Sequence, residues 1–160
     1  MSTLAQIRAA IVALHRAVPD VGIVHDRERY LRTEEKFREL YLFTPAAPAP
    51  RQVRGWWWRR AATDERTVTI ATSLAAHTWQ CRGYMAFNDE AGSELVFDAL
   101  IEALRDAVRA DPTLGGVCAQ NPHDDGDGTD GVQVVDAGPV TFCGVLCHSA
   151  VLQLRTWSYL

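Results

Sequence analysis

The chain has 160 residues, 48% of them hydrophobic and 22% charged, with a net charge of −4. That is one domain, large enough to bury about two thirds of its unfolded surface. Its acidic balance argues against a grip on nucleic-acid phosphates, and no apolar run reaches the ~20 residues of a membrane helix. Met1-Ser2-Thr3-Leu4 shows no basic segment leading into an apolar stretch, so the expectation is a protein made and folded in a cytoplasm, with no membrane partner.

Leu4, Ile7, Ile11, Leu14 and Val18 recur at helical spacing from about Thr3 to Val18, with Ser2 or Thr3 available as a cap and Pro19-Asp20 as a stop. Val21–His25 reads as a short strand and 27–32 as an exposed charged connection. Thr33-Glu34-Glu35 opens a second, shorter helix whose apolar face is Phe37, Leu40 and Tyr41, ended by Thr44-Pro45. Residues 45–50, three prolines and three alanines, form an extended connection inside the domain.

Gln52–Arg60 carries Trp56-Trp57-Trp58. In a strand, Trp56 and Trp58 point one way and Trp57 the other. Two readings stand side by side. One is a contact surface formed by Trp56, Trp57, Trp58, Arg54 and Arg60, because Trp and Arg are enriched at interface hot spots. The other is a strand buried on both faces. Residues 61–66 read as a polar connection and Thr67–Ala71 as a further strand.

Residues 76–116 organise the chain. His77, Trp79, Cys81, Gly83, Met85 and Phe87 alternate on one face of a strand, and Gly83 marks a bulge or a close approach of another backbone. Asn88–Gly92 is a turn. Ser93 is the expected N-cap of a long helix with the apolar stripe Phe97, Leu100, Ile101, Leu104 and Val108. Glu94, Asp98 and Glu102 precede Arg105 and Arg109 on its polar side, an order that suits the helix dipole. Asp111-Pro112 ends it and Gly115-Gly116 lets the chain reverse.

Val117–Gln120 reads as a short strand, 121–131 as a long polar loop and Val132–Asp136 as a strand. Gly138-Pro139 is an expected turn. Val140–Arg155 reads as one long central strand, with Phe142, Gly144, Leu146, His148, Ala150, Leu152 and Leu154 on one face. The elements together define an α/β (α+β) domain, a single mixed or antiparallel sheet of about four to six strands with two or three helices packed on it.

No arrangement of residues specifies a catalytic, cofactor or metal site. A calcium loop begun at Asp125 has Asp127 at the third position, but Thr129 at the fifth, Asp130 at the sixth and no closing glutamate. Asp124, Asp125, Asp127 and Asp130 therefore read as a solvated or partner-facing loop. Cys81, Cys118, Cys143 and Cys147 match no zinc spacing. Cys143 and Cys147, four apart in a strand, would be ~13 Å apart and unable to bridge, so free thiols are expected. His148 reads as a core histidine, and Ser93 lies outside any nucleophile elbow.

Several stretches together carry a family resemblance: Ile23-Val24-His25-Asp26 with Glu28-Arg29-Tyr30, Arg82-Gly83-Tyr84-Met85, Gly92-Ser93-Glu94 with Phe97 and Leu100, Arg109–Gly116, Val132-Gln133, and Gly144–Ala150. The sequence resembles the tail terminator (tail completion, minor tail protein U-like) proteins of tailed bacteriophages. The triple tryptophan and the aspartate-rich loop depart from that pattern. The resemblance implies a structural, non-enzymatic virion protein with no cofactor, assembled in the bacterial cytoplasm as a ring, usually of six subunits, at the head-proximal end of the tail. Its implied partners are other copies of itself, the tail-tube protein and the head connector, with DNA passing through the lumen unbound. An acidic lumen lets DNA slide, since gripping phosphate takes positive charge. Glu94, Asp98 and Glu102, or Asp124–Asp130, are the expected lumen or partner residues. A connector stopper or adaptor is the alternative in the same setting. A small cytosolic ligand-binding domain or enzyme is the alternative outside it.

Overall fold

The computed structural model describes residues 2–46, 49–122 and 130–160. Its elements are α1 (Leu4–Arg16), β1 (Ile23–His25), α2 (Glu34–Glu39), β2 (Leu42–Phe43), β3 (Gln52–Thr69), β4 (Thr72–Ala86), α3 (Ser93–Ala110), β5 (Val132–Phe142) and β6 (Val145–Tyr159). The strands form one six-stranded mixed sheet in the order β1-β3-β4-β6-β5, with β2 also paired to β3. Among the described residues, only the β1–β3 pairing is parallel. The expected fold class is therefore the one observed.

The helices form where the periodicity places them. Thr3 caps α1 through a reciprocal capping box with Gln6. The α3 stripe of Phe97, Leu100, Ile101, Leu104 and Val108 is buried against the sheet. It joins Ile7, Ile11 and Val12 of α1 and Trp56, Trp58, Trp79 and Leu152 of the sheet in the main core. The opposite sheet face carries a second, smaller core in which Tyr41, Trp57, Tyr84 and Phe142 meet under α2 and β2.

Several strand boundaries differ from expectation. Residues 61–66 are not a connection: β3 runs through them, paired to β4 from Arg54↔Met85 to Thr69↔Thr72. Both faces of β3 are exposed there, so no apolar alternation exists to reveal a strand, and its backbone bonds to β4 hold it instead. Gly138-Pro139 is not a turn. Both residues lie within β5, on the sheet edge, where proline's missing donor is tolerated.

The expected long strand from Val140 is split at Cys143-Gly144 into β5 and β6. Both turn residues have positive φ, 48° and 73°, which matches the twist of a tight hairpin. Cys143 thus sits at a hairpin tip rather than within a strand. Among the described residues, Val117–Gln120 contributes only one bridge, Ala119 to Trp157. Phe87, expected in the core, is 43% exposed because β4 ends one residue earlier.

Gly83 is required by a side chain, not by the bulge or close backbone expected from the sequence. A Cβ there would lie 2.1 Å from Cε3 of Trp56. The Trp56 ring fills the space left by the absent side chain.

Candidate functional site

The tryptophan run is interior. Trp56 and Trp58 are 0% exposed and Trp57 is 5% exposed. Alternation sends Trp56 and Trp58 into the main core and Trp57 into the smaller one, so the strand is buried on both faces and the contact-surface reading of Trp56, Trp57 and Trp58 is corrected. Apolar rings on both faces find helices waiting: α1 and α3 on one side, α2 on the other. Trp56 Nε1 donates to the Val21 carbonyl at 2.7 Å, and its ring stacks on Phe97 at 5.3 Å.

Arg54 is buried as well. It donates to the Asp20 carbonyl at 2.9 Å and reaches the Asp20 carboxylate at 3.4 Å, and burial lowers its pKa. Of the five proposed contact residues only Arg60 is exposed.

Trp58 Nε1 donates to His15 Nδ1 at 2.9 Å within the core. The indole nitrogen is a donor only, so Nδ1 of His15 carries no proton and Nε2 does. His15 Nε2 has no hydrogen-bond partner among the described residues, and the Trp56 ring lies edge to face with the imidazole at 5.0 Å. Burial drives the His15 pKa down to about 3, so the ring is neutral at physiological pH.

The acidic candidates separate into two groups. Glu94, Asp98 and Glu102 are exposed on α3. Glu102 binds Arg105 at 2.6 Å and lies 3.8 Å from Arg109. Glu94 and Asp98 line an open cleft of about 270 Å³ with Phe97, His148 and the Ala137–Pro139 segment of β5. Asp130 is exposed and accepts from the Asn121 side-chain amide at 2.7 Å. Asp124, Asp125 and Asp127 lie outside the described residues. Among the described residues, no group of three or more His, Cys, Asp or Glu side chains is placed to hold a metal.

One pair escaped sequence reasoning. Ser93 is the first residue of α3, after Gly92 at φ 61°, and does not cap its own helix. Its Oγ accepts from the Asn88 amide at 2.8 Å and lies 2.7 Å from His148 Nε2 on β6. The two residues are 55 positions apart, and no local pattern signals that they meet. The His148 ring is stacked against Phe87 at 4.6 Å, and Ser93 and His148 are both buried. A serine hydroxyl bonded to an imidazole is the geometry of an activated nucleophile. Here, however, His148 and not Ser93 lines the cleft. The pair ties the β4–α3 turn to β6.

All four cysteines are free; burial raises the Cys118 and Cys147 thiols to about 11 and lifts Cys81 well above the usual thiol range. Such thiols stay protonated and unreactive at neutral pH. No protein-family model and no curated protein matches the chain in sequence.

Proposed function

We propose that this chain is a tail terminator: a structural virion protein that forms a ring at the head-proximal end of a phage tail, caps the tube, stops its polymerisation and offers a docking surface to the head connector. The observation that carries the reading is where the resembling segments fall. Arg82–Met85 of β4 pairs with His148–Val151 of β6, Phe97 and Leu100 of α3 join Met85 and Ala150 in the main core, and the Arg109–Gly116 helix stop closes the far end of α3 beside Leu154–Trp157. Their glycines and apolar residues serve turns and packing, as in a protein whose task is shape. The chain's net charge of −4 suits a ring whose lumen DNA crosses without sticking.

The test is molecular mass across a range of concentrations, with negative-stain imaging, followed by tail-tube lengths assembled with and without the protein. An open-centred ring and tubes of uniform length support the reading. Tubes of unrestricted length in the presence of the folded protein refute it. A stopper or adaptor would bind the connector and leave tube length uncontrolled.

A hydrolase is the second reading, favoured by the Ser93–His148 contact of 2.7 Å. A serine-directed fluorophosphonate that labels Ser93 in the folded protein would support it. Labelling no faster than in the Ser93→Ala variant would remove it.

A further inference from the structure

The ring reading requires two surfaces of one subunit to fit each other, and charge and topology single out a pair. Residues 1–60 hold eleven Lys or Arg against six Asp or Glu, whereas residues 61–160 hold five against fourteen. The fold turns this imbalance along the chain into one across the sheet. The basic part supplies α1, α2, β1, β2 and the start of β3, gathered at one edge. The acidic part supplies β5 at the other edge, and α3, which contacts β5 through Arg105 and the Val132 carbonyl.

On the basic edge, Arg29 and Arg32 in the β1–α2 connection and Arg60 on β3 enter no ion pair among the described residues. The connection reaches β3 through Glu28, which binds Arg59 at 3.2 Å. On the acidic edge, Glu94, Asp98 and Asp136 are likewise without an ion pair among the described residues, and Glu94 and Asp98 flank Ala137–Pro139 of β5.

Strand direction allows the two edges to meet. β3, β4, β6 and β5 alternate in direction, so β5 runs antiparallel to β3. Copies set side by side in one orientation therefore bring β5 of one antiparallel to β3 of the next. The outer edge of β3 is occupied only at Gln52–Val53 by β2 and at Gly55–Trp57 by β1, leaving the stretch beyond Trp57 open among the described residues. The outer edge of β5 is open too and exposes Val134, Val135 and Val140. Pro139 and the bulge between Val134 and Asp136 interrupt β5 as a hydrogen-bonding template. Charge pairing and valine burial, more than a continuous backbone ladder, must therefore hold the contact.

We infer that the edge bearing Arg29, Arg32 and Arg60 docks head to tail on the edge bearing Glu94, Asp98 and Asp136 of a second copy. A contact between unlike patches repeats, and closes into a ring when the rotation allows. The inference rests on the ring reading and places Glu94 and Asp98 between subunits, not in the lumen.

The test uses two full-length variants studied by sedimentation velocity: Arg29→Glu/Arg32→Glu/Arg60→Glu, acidic on both edges, and Glu94→Lys/Asp98→Lys/Asp136→Lys, basic on both edges. Circular dichroism and melting temperature verify that each is folded, and the Arg60→Glu and Asp98→Lys single variants repeat the comparison with less perturbation. Each variant alone should self-associate about tenfold or more weakly than the wild type, because like charges now face each other. An equimolar mixture should recover assembly, since its edges are again opposite in sign. Raising salt from about 0.1 M to 1 M, which shortens the Debye length from ~10 Å to ~3 Å, should weaken the wild-type assembly. Rings that form equally well in either variant overturn the interface and leave the ring reading standing. A wild type that stays monomeric at every concentration also overturns the interface, while the tube-length measurement judges the ring reading separately.

Discussion

Replacing Gly83 with alanine tests the packing on which the whole sheet depends. The new Cβ would fall 2.1 Å from Cε3 and 2.2 Å from Cζ3 of Trp56, far inside contact distance. Trp56 has nowhere to go. It is fully buried, stacked on Phe97, and tied by its indole nitrogen to Val21. Overpacking of this kind costs about 1–3 kcal/mol, and breaking the indole bond to make room adds ~1–3 kcal/mol for a buried donor left unpaired. Against this, alanine stabilises by about 0.4–1 kcal/mol through a less flexible unfolded chain. The expected net loss is about 2–5 kcal/mol, or roughly 5–15 °C in melting temperature at this size. Urea unfolding followed by tryptophan fluorescence measures it directly. Gly138→Ala is the control: a Cβ added there would meet nothing within 4 Å, so a change within ~0.5 kcal/mol is expected. If Gly83→Ala matched the wild type, the argument that Trp56 occupies the glycine's space would be wrong.

His15 predicts a pH dependence. Its folded pKa is about 3 against 6.5 for the free group, so below pH 6.5 the unfolded chain binds a proton that the folded chain refuses. Stability from this residue is therefore fully present above about pH 6.5 and falls as pH drops toward 3, by a few kcal/mol in total. His15→Gln should show a shallower slope between pH 4 and 6 in denaturation experiments, and an unchanged slope would contradict the assignment. Ser93→Ala removes the partner of both His148 Nε2 and the Asn88 amide, and should cost about 1–3 kcal/mol in a chemical melt. Stability within ~0.3 kcal/mol of wild type would show that the contact is not a structural tie. Asp20→Asn keeps a side chain that accommodates φ 61° but removes the charge facing Arg54; a loss of about 1–3 kcal/mol is expected by thermal melting, and none would mean Arg54 is held by the Asp20 carbonyl alone.

The elements best foreseen are those whose burial is one-sided. The α3 stripe and the face of β4 through Met85 announce themselves because one apolar and one polar side alternate at a fixed period, and a helix or strand is the only backbone that gathers each set together. The two readings of the tryptophan run show the limit. Their alternation was legible, but their burial depended on whether helices would cover both faces, which is a property of distant segments. The Ser93–His148 and Trp58–His15 contacts were out of reach for the same reason: each joins residues whose meeting is set by strand order.

By itself the sequence determined the fold class and the position of α1 and α3, because these follow from local periodicity, caps and composition. Only the tertiary structure decided that Trp56–Trp58 is core, that β3 continues through a polar stretch, and that Gly83 exists for an indole ring. It also decided that opposite charges stand at opposite edges of the sheet. The physical reason is common to all four: strand pairing and side-chain packing couple residues far apart in the chain, and no local pattern records which partner a segment will meet.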